Sequence, residues 1–368
     1  MRPALPLMLA LAFGSVCLAA DSLPPIQDGK VPQNLTELWG AYDPRAEALE
    51  AEVTKEWEQD GIVCRVIRYR IGTFKGQPAT MAAFYAFPKG AKGLPAILQI
   101  HGGGQSASLS AVVTNAKLGY ASLSLNWGGN KMSLADGKVY DGPNTDWGAL
   151  DATHPPQRNK ANHFAGPTTP DAYTLDAVDS PRNDNWFLVT LSARRALTFL
   201  EKQPEVDPSK LGVTGHSMGG RLTVQLTGID DRVKAAVPSC GGSGDFTGDP
   251  ATFPGGAPSK RSARDLAPRS ENPYIDRLKV PTLWFSPTND FHAHLFNFAY
   301  TWRDVPAGIL GFSIPPHFNH RSTDEHNLTT TLWFEQYLKS AYQLPTTPQL
   351  RLESQAANGQ AVFTVTTE

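Results

Sequence analysis

Residues 211–222 read LGVTGHSMGGRL, an apolar run, a serine set between glycines, and the first turns of a helical stretch. Gly215, Ser217 and Gly219 make the pattern G-x-S-x-G. A serine at the tip of a sharp strand-to-helix turn takes strained dihedrals, and glycines two positions before and after it remove side chains that would clash. Gly220 lets the helix pack closely. The bland alternative is a Gly-rich turn with a passive serine; a strand before and a helix after are the context that argues for a nucleophile.

Outward from this turn, the chain from Leu94 onward alternates short apolar runs with helical stretches, the pattern of parallel strands buried on both faces. The runs are PAILQI (95–100), YASLSL (120–125), KLGVTG (210–215), VKAAVPS (233–239), PTLWFSP (281–287) and ILGFSI (309–314). Between them, NWFLVTLSARRALTFLEK sets Val189, Ala193, Ala196 and Leu200 on one helical face. A further helix runs through NLTTTLWFEQYLKSAY. The alternation predicts a three-layer α/β fold. Upstream, RAEALEAEVTKEWEQ (45–59) holds strong helix formers without a breaker and predicts a helix. IVCRVIRYRI and TMAAFYAFP predict an antiparallel pair at a sheet edge. At the C-terminus, two alternating runs around Asn358-Gly359 predict a β-hairpin.

The expected organisation is a cleavable export signal over 1–20, a helix and edge strands over 21–93, a catalytic core over 94–343, and a hairpin extension over 344–368. The signal rests on one arginine, an apolar run and small residues near Ala19 and Ala20. Lipidation at Cys17 is the rival, disfavoured by Val16. Two long excursions, 126–185 and 240–273, are rich in Gly and Pro. The first carries Trp127, Tyr140, Trp147, Phe164 and Tyr173, which argue for an ordered cover.

With 368 residues, 40% hydrophobic content and a net charge of −2, the chain can bury a large core and has no basic face for nucleic acid or an anionic membrane. Past the signal, no stretch reaches the roughly 18 apolar residues of a membrane span. Cys64 and Cys240 lack metal-type spacing; two buried thiols or one disulfide both fit.

A second motif is LQIHGGGQS (98–106), His-Gly-Gly-Gly directly after a buried strand. Acyl transfer needs N–H donors aimed at a developing oxyanion, and backbone without side chains can approach it. Gly103, or Gly104, would supply one donor and Met218 the other. A serine hydroxyl also needs a base, and the base an acid that holds its tautomer. Asp290 ends the run PTLWFSPTND, and His317 and His320 end ILGFSIPPHFNH. Either histidine could be the base. Metal ligation by this pair is the weaker reading, because Pro315 and Pro316 oppose a helix that would align them and zinc needs a third ligand. No cofactor is called for. His292 and His294 are expected at the rim, His326 at the start of the last helix, and Arg221 in a structural ion pair.

HGGGQ, GHSMGG, SPTND and PHFNH together resemble the α/β-hydrolase superfamily over about residues 95–342, and more closely secreted bacterial esterases of the dienelactone-hydrolase and acetylxylan-esterase type. The resemblance implies an α/β-hydrolase fold and a Ser217-His320-Asp290 triad, with His317 as rival base and Gly103 and Met218 as oxyanion donors. In such relatives the working histidine ends a turn like the one that places Asn319 before His320. A dienelactone hydrolase uses a cysteine where Ser217 stands, and lacks an excursion like 126–185, which points toward esters. The expected substrate is an ester, with acetylated polysaccharide first. Trp127, Trp147 and His216 are the candidate substrate contacts. Methyl, feruloyl or antibiotic esters, a peptidase and a non-catalytic polysaccharide binder are the alternatives. Composition leaves the oligomeric state open.

Overall fold

The computed structural model describes residues 20–158, 168–244, 262–345, 348–355 and 361–366. The expected export signal up to residue 19, Phe164, the middle of the second excursion (245–261) and the Asn358-Gly359 turn lie outside the described residues.

In chain order the elements begin with α1 (Leu35–Gly40) and the strands β1 (Glu52–Gln59), β2 (Ile62–Phe74), β3 (Gln77–Pro88) and β4 (Leu94–Ile100). Next come α2 (Leu109–Lys117), β5 (Ala121–Leu125), α3 (Asn185–Glu201), β6 (Val206–His216), α4 (Met218–Ile229) and β7 (Val233–Ser239). Then follow α5 (Ala263–Leu266), α6 (Asn272–Ile275), β8 (Thr282–Phe285), α7 (Leu295–Asp304), β9 (Leu310–Ser313) and α8 (Asp324–Phe334). The hairpin strands β10 (Gln349–Gln355) and β11 (Ala361–Thr366) form a separate antiparallel pair.

Nine strands make one sheet in the order β1-β2-β3-β5-β4-β6-β7-β8-β9. The first three pair antiparallel, β3 meets β5 antiparallel, and every pairing from β5 to β9 is parallel. All six apolar runs lie in parallel strands; in β4 to β8 helices cover both faces and leave little solvent-facing side to be polar, whereas β9 is a half-exposed edge strand with Phe312 open to solvent. One face packs α3, α4 and Trp39 of α1 into the largest core cluster, the other packs α2 and α8 into two smaller ones. The fold is that of an α/β hydrolase: a mostly parallel sheet flanked by helices.

The expected helix over 45–59 is absent, and Glu52–Gln59 is the edge strand β1. Its glutamates and lysine favour helix over β-branched residues by only a few tenths of a kcal/mol each. Against this, β1 closes the open hydrogen-bonding edge of β2 over seven residue pairs, and Trp57 packs against the cluster holding Ile62 and Cys64. Glu52 and Glu56 stand directly opposite Arg68 and Arg65, with ion pairs of 3.2 and 2.6 Å. Cross-strand pairs add about 0.2–1 kcal/mol apiece. Tertiary pairing outweighs local propensity, and the β2–β3 pair sits one strand in from the edge.

Candidate active site

Ser217 stands between β6 and α4 with φ 59° and ψ −118°, the strained conformation that its flanking glycines imply. Its N–H donates to Ser239 O at 2.8 Å, tying the turn to the end of β7. A Cβ on Gly219 would fall 2.1 Å from Ile100 O, and one on Gly215 2.4 Å from Gly219 O. Neither position accepts a side chain. Met218 opens α4, so its N–H lacks an acceptor within the helix.

The His-Gly-Gly-Gly loop lies against this turn. A Cβ on Gly102 would come 3.2 Å from Ser217 Cβ, and one on Gly103 2.2 Å from Met218 Sδ. The two expected oxyanion donors are thus neighbours, with the thioether of Met218 packed on Gly103. Gly103→Ala should push that thioether aside and lower kcat about 10²-fold, the scale of losing one oxyanion donor. Met218→Ala keeps the N–H and opens the space, so the double variant should recover part of the loss; additive losses would sink this coupling.

Asp290 and His320 meet across two loops. His320 Nδ1 donates to Asp290 Oδ2 at 2.8 Å, and Asp290 Oδ1 accepts the backbone N–H groups of His292 (2.7 Å) and Ala293 (2.8 Å). Burial by itself would raise the pKa of this carboxyl; the His320 bond and the two N–H donors outweigh it and hold the group below its usual range. With Nδ1–H committed to the carboxylate, Nε2 carries the lone pair. The His320 ring centroid lies 4.8 Å from that of His216, the residue before Ser217.

His317 is exposed, and it is its backbone N–H that meets the acid loop, donating to Thr288 Oγ1 at 3.1 Å. The loops are also clasped by Asn289 and Asn319, whose side chains bond at 2.6 Å while Asn319 N–H donates to Asn289 Oδ1 at 2.9 Å. This clasp holds His320 over the acid. It involves residues in the SPTND and PHFNH motifs to which sequence assigned no such pairing.

Two expected substrate contacts are corrected. Trp127 and Trp147 are 0% and 1% exposed, so neither presents a face to a sugar ring. Trp127 instead supports the glycine loop: its indole stacks on His101 (4.8 Å, 4°) and its Nε1 donates to His101 O at 3.1 Å. His101 Nδ1 donates to Gly102 O at 2.7 Å and its Nε2 accepts Gly128 N–H at 3.4 Å. His216 is half-buried beside His320, with Nδ1 3.0 Å from Ser239 Oγ. His292 also lies at the site, its Nδ1 donating to Cys240 O at 3.0 Å. Phe291, 71% exposed, sets its ring 4.6 Å from that of His320. A lone Phe in a loop gave no signal in the sequence. Arg221 pairs with Glu271 at 2.7 Å and lies over the Trp186 ring, the structural ion pair expected of it.

Cys64 and Cys240 are free thiols, both buried. Burial pushes Cys64 up to about 11. Cys240 is raised as well, by burial first and then by the neighbouring Asp290 charge. Among the described residues, one group of three metal-competent side chains occurs: His216, Cys240 and His320.

Burial lowers the pKa of His101, His216 and His326 from 6.5 to about 4. The unfolded chain therefore binds more protons between these values. The contribution of these three groups to stability is fully present above pH 6.5 and is lost as pH falls from 6.5 toward 4. Urea midpoints should drop steadily on acidification from pH 7 to about 5. A flat midpoint across that window would contradict the neutral buried imidazoles.

A serine at a strained strand-to-helix turn, a glycine loop against it, and a histidine-carboxylate pair beside it define an α/β-hydrolase site. The acetyl xylan esterase family (AXE1) matches residues 27–247, more than half of the sequence. The chain belongs to that family, and it is a carboxylic ester hydrolase. No curated protein matches it.

Among solved structures it is similar to an acetyl xylan esterase from Paenibacillus sp. R4 (19% identity, TM-score 0.58, covering 80% of this chain and 91% of that one). It is also similar to acetyl xylan esterase 1 from Thermoanaerobacterium sp. JW/SL YS485 (16%, TM-score 0.60, 88% and 96%). A glucuronoyl esterase from Solibacter usitatus aligns at 15% identity and a TM-score of 0.51, covering 81% of this chain and 87% of that one. At such identities the likeness is one of fold.

Proposed function

We propose that the protein is an exported serine esterase that removes acetyl groups from a polysaccharide, with xylan the first substrate to examine. The observation that carries the mechanism is the 2.8 Å bond from His320 Nδ1 to Asp290 Oδ2 beside the Ser217 turn. In the first step Ser217 Oγ attacks the ester carbonyl while His320 Nε2 takes its proton, and Asp290 stabilises the imidazolium that forms. The N–H groups of Gly103 and Met218 receive the negative charge on the carbonyl oxygen. His320 returns the proton to the departing sugar oxygen. Water, deprotonated by the same imidazole, then releases acetate and restores Ser217.

The choice of substrate is supported by family membership alone, since Trp127 and Trp147 are buried and offer no aromatic platform to a sugar ring. Export is supported by the composition of residues 1–20. The test is acetate release from acetylated xylan by the purified mature chain, with Ser217→Ala as blank. Release that needs Ser217 supports both nucleophile and substrate. Hydrolysis of a small activated acetate without release from xylan would retain the esterase and reject xylan.

A further inference from the structure

His216, Cys240 and His320 reach the site from three places: the end of β6, the residue after β7 and the loop after β9. One donor atom of each lies within 4.8 Å of the other two. Two imidazoles and a thiol suit a borderline-soft divalent cation and not magnesium or calcium, which take oxygen ligands. Zinc bonds of about 2.3 Å to sulfur and about 2.0 Å to nitrogen hold donors roughly 3.5 Å apart, so closing this trio needs movements of about 1 Å. Rotation of the His216 and His320 side chains can supply that, by loosening the contacts of His216 with Ser239 and of His320 with Asp290.

Cys240 is the fixed member. Its N–H donates to Phe285 O at 2.8 Å, and its carbonyl accepts His292 Nδ1 at 3.0 Å. The thiol is fully buried beside the catalytic pair, and the acyl-transfer chemistry gives it no role. His216 likewise has no step in that chemistry.

We propose that the catalytic centre doubles as an inhibitory Zn²⁺ site formed by His216, Cys240 and His320. Binding exchanges the thiol proton, released to solvent, for a zinc–thiolate bond, and the two imidazoles donate lone pairs. Water fills the remaining position. With His320 engaged by the ion, Ser217 has no base and turnover stops. This inference rests on His320 being that base.

The test is titration of the full mature chain with Co²⁺, reading the thiolate-to-cobalt absorption band and displacing it with Zn²⁺, beside rates normalised to each variant's metal-free value. Wild type and Ser217→Ala should both show the band, since both keep the trio. Zn²⁺ should arrest wild-type turnover, EDTA should restore it, and Mg²⁺ should leave it unchanged. Cys240→Ser and Cys240→Ala should lose the band and weaken Zn²⁺ inhibition by more than about tenfold, whereas Cys64→Ser should keep both. Should a Cys240 variant fail to fold by circular dichroism, His216→Gln decides by the same loss of affinity.

Absence of the band from folded wild type and Ser217→Ala overturns the proposal and leaves the esterase intact. So does zinc inhibition that is unchanged in the Cys240 and His216 variants. Full activity of Ser217→Ala would instead reject the nucleophile, whatever the cobalt spectrum shows.

Discussion

Ser217→Ala is expected to lower kcat on a small activated acetate ester by about 10⁶-fold, to the residual rate that binding and oxyanion donors sustain without a nucleophile. The size of the effect follows from the site having one hydroxyl at the tip of the turn. The substitution removes Oγ and keeps Cβ, so the backbone at φ 59° and the Ser217 N–H bond to Ser239 O at 2.8 Å need not change. The unfolding free energy should therefore match wild type within about 0.5 kcal/mol, the ordinary range for a change that removes no packing. Stopped-flow kinetics on a chromogenic acetate would show the burst of acyl-enzyme formation in wild type alone. Retention of more than a small fraction of the rate by the alanine variant would move the nucleophile elsewhere.

The second large effect is that of Asp290→Asn, about 10⁴-fold on kcat with KM little changed. The carboxamide would keep an oxygen for the N–H groups of His292 and Ala293, now bonded at 2.7 and 2.8 Å, so the loop should hold. What changes is the tautomer. An amide N–H facing His320 Nδ1 would make that nitrogen an acceptor and move the ring proton to Nε2, where it blocks uptake of the serine proton. His320→Ala should be at least as damaging, and His317→Ala should stay within about twofold of wild type because a surface substitution away from the site seldom matters. Steady-state kinetics on the three variants separates the histidines: collapse in His317→Ala with activity kept in His320→Ala would overturn the assignment of the base.

Much of the fold was legible because parallel strands buried on both faces are largely apolar: five of the six runs lie in such strands, and the sixth is the half-exposed edge strand β9. Glu52–Gln59 was illegible for the opposite reason. Its residues favour helix locally, and the partners that make it a strand, Arg65 and Arg68 among them, act only once β2 is in place. Trp127 and Trp147 show the same limit at the site: an aromatic in a long loop can face a ligand or fill the core beneath it, and sequence spacing does not distinguish these.

Residue types along the chain were enough to specify the strand-turn-helix around Ser217, the glycine loop that precedes it, and the order Ser217, Asp290, histidine. These are local: the steric demands of a tight turn and of close backbone approach are met by residue types at short, fixed spacings. Packing in three dimensions was needed to select the histidine that meets Asp290, to bury the tryptophans, to keep Cys64 and Cys240 apart as thiols, and to bring His216, Cys240 and His320 together. Each of those outcomes depends on where separate strand ends and loops come to rest. The clasp between Asn289 and Asn319, which puts His320 rather than His317 over the acid, joins the loops that follow β8 and β9, two strands that sequence spacing does not show to be neighbours.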